Sequence, residues 1–246
     1  MPRYAAIDIG SNSVRMLAAD VLANGRTETL AADREVTRLG ESVFRGGMIS
    51  REAIEFAAGV LARMAQAYKK LDVVAVRAVA TAAVRDASNQ AEFLGRASAA
   101  IGAPVEIISG QEEARLIHLG VQNRWPHPDK RVLMVDVGGG SAEIILAEGG
   151  RLKEAFSKPL GAVRLTEAFL KSDPPTPLQH AQMREFIEER LNPVVRRLGT
   201  QPCDRAIATS ATAAALVCAV NRIPRARREE ADRRRATLPQ VRRLFK

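Results

Sequence analysis

The sequence predicts an α/β chain of two tandem domains facing one ligand cleft, and three observations predict it. Val132-Leu133-Met134-Val135-Asp136-Val137 is a nearly unbroken apolar run that ends in Gly138-Gly139-Gly140-Ser141. Such a run reads as a strand buried on both faces, followed by a tight loop. The same order of residue types occurs earlier, in Ala6-Ile7-Asp8-Ile9-Gly10-Ser11-Asn12-Ser13. Asp8 and Asp136, Ser13 and Ser141, and Thr81 and Thr209 are each 128 positions apart, and a period that long points to a duplicated domain. The third observation is that apolar periodicity places strands and helices in the same order in both halves.

In the first half, strands are expected at 4–9, 14–22 and 27–36, the last two joined by a hairpin at Asn24-Gly25. Residues 40–47 read as loop. Ser50 caps a helix whose apolar positions Ile54, Ala57, Leu61, Met64, Tyr68 and Leu71 keep the 3–4 spacing. A strand at 73–79 leads into a loop at 81–87, then a helix at 89–101, a strand at 105–108 and a helix at 110–123. The connector Trp125-Pro126-His127-Pro128 separates a domain of residues 1–124 from a second of 125–246.

The second half repeats the order with strands at 132–137, 142–147 and 152–159 and a loop around Gly161. Two helices separated by Asp173-Pro174-Pro175 follow, the second opening on Thr176-Pro177-Leu178-Gln179, a capping box with Pro at the first helical position. A strand at 206–209 and a helix at 211–220 come next. This order is that of the ribonuclease-H-like half of actin-type folds. No strand-like run follows Thr209, so the second domain is expected to lack its last strand and to be less stable or covered by a partner chain; a homodimer is the oligomer considered.

The chain carries a net charge of +9. Residues 221–246 hold nine Arg and one Lys against three acids, whereas the first 220 residues carry only +2. The tail reads as a solvated face or as a surface for a polyanion. No aromatics are interleaved among its arginines, which argues against dedicated nucleic-acid binding. Cys203 and Cys218 have no ligand-like spacing and read as reduced core residues, while His118, His127 and His180 are scattered, which disfavours a zinc site or a Ser-His-Asp enzyme. The N-terminus enters a strand at once and no apolar run is long enough to span a bilayer, so the expected location is the cytoplasm, with no membrane partner.

The chemistry suggested by these motifs is phosphoryl transfer, which needs positioning and charge neutralisation more than covalent help. The N–H groups of Gly10, Ser11, Asn12 and Ser13, and of Gly138, Gly139, Gly140 and Ser141, can converge on phosphate oxygens from two sides; plain hairpin turns are the alternative. Asp136 and Glu143 flank the second loop and are candidate Mg²⁺ ligands, direct or through water, or else acceptors for loop amides. Asp8 is the equivalent acid of the first half, with a weaker metal role or a bracing one. Hydrolysis also needs a carboxylate to ready water. Ser109-Gly110-Gln111-Glu112 fits a capping box, which gives Glu112 a structural role and leaves Glu113 free for catalysis, or for interaction with the helix N-terminus. Arg85 can grip a phosphate bidentately or form an ion pair. Arg164, in G-A-V-R-L, is compatible with the same two roles.

Taken together, D-I-G-S-N-S, I-S-G-Q-E-E-A-R-L, D-V-G-G-G-S-A-E and P-L-G-A-V-R-L resemble the motifs of the Ppx/GppA family of exopolyphosphatases and guanosine pentaphosphate phosphatases, over nearly the whole chain. The resemblance implies an actin-like fold and hydrolysis of a terminal phosphoanhydride in polyphosphate or a pppGpp-like nucleotide, usually with Mg²⁺. It also implies that Glu113 is the catalytic base. A non-catalytic module binding polyphosphate or such a nucleotide is the other reading. Short members of the family continue with a further strand and helix. Where the family commonly has Gly, this chain has Ala211, so the T-S-A-T loop is left out of the phosphate-binding set.

Overall fold

The computed structural model describes residues 1–23 and 25–245, with the backbone alone for Arg225. Its strands are β1 (Arg3–Ile9), β2 (Val14–Val21), β3 (Thr27–Glu35), β4 (Ala75–Ala80), β5 (Val105–Ile107), β6 (Arg131–Val137), β7 (Ala142–Glu148), β8 (Arg151–Lys158) and β9 (Arg205–Thr209). The helices are α1 (Leu39–Gly46), α2 (Arg51–Lys69), α3 (Ala82–Asp86), α4 (Gln90–Ile101), α5 (Gly110–Arg124), α6 (Ala162–Phe169), α7 (Pro177–Leu198), α8 (Ser210–Asn221) and α9 (Leu238–Arg243), with a 3₁₀ segment at Arg225–Ala231.

These strands form two sheets, ordered β3-β2-β1-β4-β5 and β8-β7-β6-β9. In each, an antiparallel meander (β1–β3 or β6–β8) is joined by a parallel strand, β4 beside β1 and β9 beside β6. The register repeats as well. Asp8 pairs with Arg15 in the first sheet, and Asp136 pairs with Glu143 in the second. Both acids therefore stand at the ends of central strands, where the loops begin. Among the described residues the second sheet has no counterpart of β5.

The first core lies between the sheet and helices α2 and α4. Ile54, Ala57, Leu61, Met64 and Tyr68 of α2 are all buried, as the helical spacing requires, and Phe93, Ala97 and Ile101 of α4 meet them. Ser50 caps α2 by accepting from the Ala53 N–H at 3.2 Å. In the second core, Ala114, Ile117 and Val121 of α5 pack on Val132, Met134, Ile145 and Ala147. Helix α5 thus follows the first sheet in sequence but lies on β7 and β8 of the second. It is this crossing that brings the start of α5, with Glu113, between the two sheets.

Several expectations are corrected. The stretch 40–47 is helical (α1), because Leu39 and Val43 are one turn apart and almost fully buried; glycines at both ends conceal the pattern. The stretch 81–87 contains the single turn α3, whose Ala82, Ala83 and Val84 are buried, a segment too short to show a period. Cys203 is exposed ahead of β9, and only Cys218 is buried. The Asn24-Gly25 turn involves Asn24, which lies outside the described residues. The tail forms the 3₁₀ segment and α9, with most of its arginines exposed. No helix among the described residues is long and apolar enough to cross a membrane.

Candidate active site

The two loops are built alike. The Gly10 N–H donates to Ser13 O at 3.1 Å, and the Gly138 N–H donates to Ser141 O at 3.0 Å. In both loops the carbonyls are occupied from behind by the start of a helix. Ser11 O accepts from the Gly40 N–H at 2.7 Å, and Asn12 O accepts from the Thr37 and Arg38 N–H groups. Gly138 O accepts from Ala162 N–H at 2.9 Å and Gly139 O from Arg164 N–H at 3.0 Å. Because the carbonyls point back into α1 and α6, the amides point away. Among the described residues no backbone acceptor meets the N–H of Ser11, Asn12, Ser13, Gly139, Gly140 or Ser141. Successive amides freed in this way are of the kind that can converge on an anion.

The loops touch. A Cβ built on Gly139 would lie 3.1 Å from Ser11 Cβ, and one on Gly140 would lie 2.5 Å from Ser11 Oγ and 2.7 Å from Ala82 Cβ. Glycine is required there by close approach rather than by φ. Ser11 Oγ in turn accepts from the Ala83 N–H at 3.1 Å, which ties the first loop to α3. Ser11, Ser13 and Ser141 are all buried.

Around these loops the acids converge. Glu113 enters from the first turn of α5, whose cap is Ser109 accepting from the Glu112 N–H at 3.1 Å. Glu112 turns outward to Arg115 and Arg77, and the hydrogen bonds from Arg115 pull its carboxyl down to about 2. Glu113 turns inward. Its Oε2 is buried with no hydrogen-bond partner, and the nearest cation is the Arg85 guanidinium at 3.8 Å. Burial pushes the Glu113 carboxyl up to about 8; Glu143, Asp8 and Asp136 add to the rise, and Arg85 opposes it. Arg85 itself is anchored by donating to Ile108 O at 2.8 Å.

Glu143 is 1 % exposed and accepts from Ser157 Oγ at 2.8 Å; burial raises it above the usual carboxylate range. Asp136 accepts from Thr209 Oγ1 at 2.5 Å, and burial raises it too, against that hydrogen bond. Asp8 keeps accessible surface yet sits at the floor of the cleft with protein on most sides. That desolvation raises it, Arg15 opposes the rise and Asp136 adds to it.

Several sequence-predicted residues are thus brought together: the two loops touch, and Glu113 lies close enough to Arg85, Glu143, Asp8 and Asp136 for their charges to act on it. A cleft of about 710 Å³ lies over the exposed face of the first sheet, lined by Arg15, Arg34, Arg77 and Arg228 and, of the predicted site residues, by Asp8. A hollow of about 460 Å³ beside Phe169 and Phe186 shares no residue with it. Sequence reasoning missed Thr209 and Ser157 as partners of the acids, and the four arginines. Arg15 was within reach, since strand alternation puts it on the same face as its neighbour Asp8.

No group of three or more His, Cys, Asp or Glu among the described residues is arranged to hold a metal ion unaided. The donors are nevertheless those that suit Mg²⁺, which takes one or two carboxylates, substrate phosphate and water rather than a full protein cage. Acids that raise one another's pKa are also the groups a cation would relieve.

The family model of the Ppx/GppA phosphatase family matches residues 19–241. Exopolyphosphatase 2 of Mycobacterium tuberculosis is 37 % identical over 204 residues, covering 80 % of this chain and 64 % of the relative. The chain therefore spans just under two thirds of that curated relative's length. Among solved structures, the Aquifex aeolicus family member superposes with a TM-score of 0.72 at 34 % identity, over 91 % of this chain and 71 % of that one. An exopolyphosphatase from Cytophaga hutchinsonii superposes with a TM-score of 0.85 at 28 % identity, over 98 % and 78 %. The paired Gly/Ser loops and the α/β architecture thus have a family to sit in: this chain belongs to the Ppx/GppA phosphatases, with their actin-like fold.

Proposed function

We propose that the chain carries the site of a phosphoanhydride hydrolase that releases terminal phosphate from inorganic polyphosphate. One observation carries this reading: a buried carboxylate oxygen of Glu113 has no hydrogen-bond partner and lies within reach of the charges of Asp8, Asp136 and Glu143, the acids beside the two loops. A carboxylate so desolvated is a strong proton acceptor once ionised. The match to a relative named exopolyphosphatase supports the substrate class.

In this reading the N–H groups of residues 10–13 and 138–141 hold the terminal phosphate, and the hydroxyls of Ser13 and Ser141 add donors. Glu113 accepts a proton from the water whose oxygen bonds to phosphorus. The bond from phosphorus to the bridging oxygen breaks, and the shortened chain leaves with the electron pair. Arg85 orients Glu113 and neutralises phosphate charge. Asp136 and Glu143, with Asp8 from the first half, would hold Mg²⁺ directly or through water, and the cation would neutralise charge on the phosphate oxygens.

The cleft favours polyphosphate over a pppGpp-like nucleotide. Four arginines stand around it, and no aromatic residue lines it for a base to stack on. The test is phosphate release with Mg²⁺ from polyphosphate and from pppGpp, comparing wild type with Glu113→Gln. Turnover of polyphosphate by the wild type alone supports the proposal. Equal rates from the two proteins remove Glu113 from the mechanism, and binding without any turnover identifies a non-catalytic module.

A further inference from the structure

We infer that Arg164 is a positioning residue that locks the second phosphate loop across the cleft onto the helix carrying Arg85. The inference rests on the reading of residues 138–141 as a phosphate cradle. Arg164 lies in the first turn of α6, on the side of the second sheet, but its side chain crosses to the other side. Its Nε donates to Gly140 O at 2.7 Å, and its Nη2 donates to Asp86 Oδ2 at 2.5 Å. The guanidinium carbon sits 4.0 Å above the centre of the Phe44 ring of α1. Its own backbone N–H binds Gly139 O. One residue therefore occupies two consecutive loop carbonyls and ties them to α1 and α3.

The geometry commits two donors and one face of the Arg164 guanidinium to the protein itself. Of its donors, Nε and Nη2 are used, its ring-facing surface is against Phe44, and its side chain is 22 % exposed. What it sets is the direction of the Gly139 and Gly140 peptide planes, and hence of the amides beyond them. Asp86 directly follows Arg85, so the same contact fixes the distance between the second loop and the Arg85–Glu113 pair. Lysine cannot reproduce this, because a point charge lacks the planar fork that bonds two acceptors while stacking on a ring.

Another ion pair of α6, Glu167 with Arg45 of α1 at 2.9 Å, has no bond to the loop. It provides the control. The test compares Arg164→Met, Asp86→Asn, the double variant and Glu167→Gln in the intact chain. Two readouts are taken: kcat and KM for phosphate release from polyphosphate with Mg²⁺, and hydrogen exchange at the Gly138, Ala162 and Arg164 positions, where each native amide is bonded at the loop–helix junction. Arg164→Met is expected to lower kcat by about 10- to 100-fold with little change in KM. Asp86→Asn is expected to fall part of the way, and the double variant to be no worse than Arg164→Met. Exchange quickens in Arg164→Met and Asp86→Asn and stays at the wild-type rate in Glu167→Gln, which keeps its kcat.

A rise in KM with kcat retained in Arg164→Met, together with a silent Asp86→Asn, would make Arg164 a phosphate ligand and overturn the inference. So would a Glu167→Gln as impaired as Asp86→Asn, which would reduce the contact to general adhesion. If the wild type releases no phosphate, the hydrolase reading fails while the exchange rates still decide the role of Arg164. If Arg164→Met does not fold, the comparison of Asp86→Asn with Glu167→Gln decides it.

Discussion

Glu113 Oε2 lies 3.8 Å from the Arg85 guanidinium and accepts no hydrogen bond, although it is buried. A carboxylate kept only for stability would be expected to have its lone pairs filled. Here the ion pair is loose and Arg85 spends its closer bond on Ile108 O. That leaves the carboxylate open to one further proton donor, the attacking water.

Replacing Glu113 by Gln keeps the shape and removes the base. The expected loss in kcat is about 10²-fold or more, the range for a general base, with polyphosphate binding retained. Single-turnover phosphate release beside a binding titration separates the two effects.

The same substitution is expected to stabilise the fold. Burial raises the Glu113 carboxyl from 4.5 to about 8. A raised carboxyl favours the folded state below its unfolded value and loses that contribution as pH climbs through the folded one. At pH 8 and above, Glu113→Gln should therefore gain about 1–3 kcal/mol over wild type, less than the full shift implies because neighbouring acids share it. Below pH 4 the gain should vanish. Urea titrations at the two pH values check it.

Activity should follow the same ionisation. With Mg²⁺ limiting, the acid limb of kcat/KM is expected near pH 8, and saturating Mg²⁺ should move it to lower pH by favouring the charged carboxylates. Arg85→Met removes the cation that opposes the rise and should move the limb to higher pH. A limb that responds to neither change would dissociate Glu113 from the rate.

Gly161 tests how tightly the loop is held. A Cβ there would lie 2.3 Å from Gly139 C and Gly140 N, both backbone atoms. Gly161→Ala is expected to cost about 1–3 kcal/mol and to lower kcat by displacing the cradle. Gly95→Ala, in α4 with open space at the Cβ position, should instead gain about 0.5–1 kcal/mol. Thermal unfolding of the two variants reads the contrast.

Much of this site is legible in the sequence, for identifiable reasons. The loop acids and serines recur at one spacing, because β1 and β6 each carry the acid next to last and run into a loop of four residues. Glu113 is singled out because S-x-x-E assigns Glu112 to the cap, though only half of that box forms: Ser109 accepts from the Glu112 N–H while the Glu112 carboxylate turns to Arg115 and Arg77. What stays hidden is the support behind the loops. Helix α1 is eight residues flanked by glycines and α3 is one turn, so neither shows a period, and with them go the Gly40 and Ala83 amides that hold Ser11. The arginines around the cleft come from β2, β3, β4 and the 3₁₀ segment, and only folding gathers them. Thr209 reads as the repeat partner of Thr81, while its hydroxyl serves Asp136.

The central claim is that both loops and Glu113 address one phosphate, and locating that phosphate tests it most directly. Crystals of Glu113→Gln soaked with Mg²⁺ and short-chain polyphosphate are predicted to show a terminal phosphate whose oxygens lie about 3 Å from amides of both 10–13 and 138–141, with residue 113 one water away. Phosphate bound along Arg34, Arg77 and Arg228 alone, with either loop bare, would contradict it.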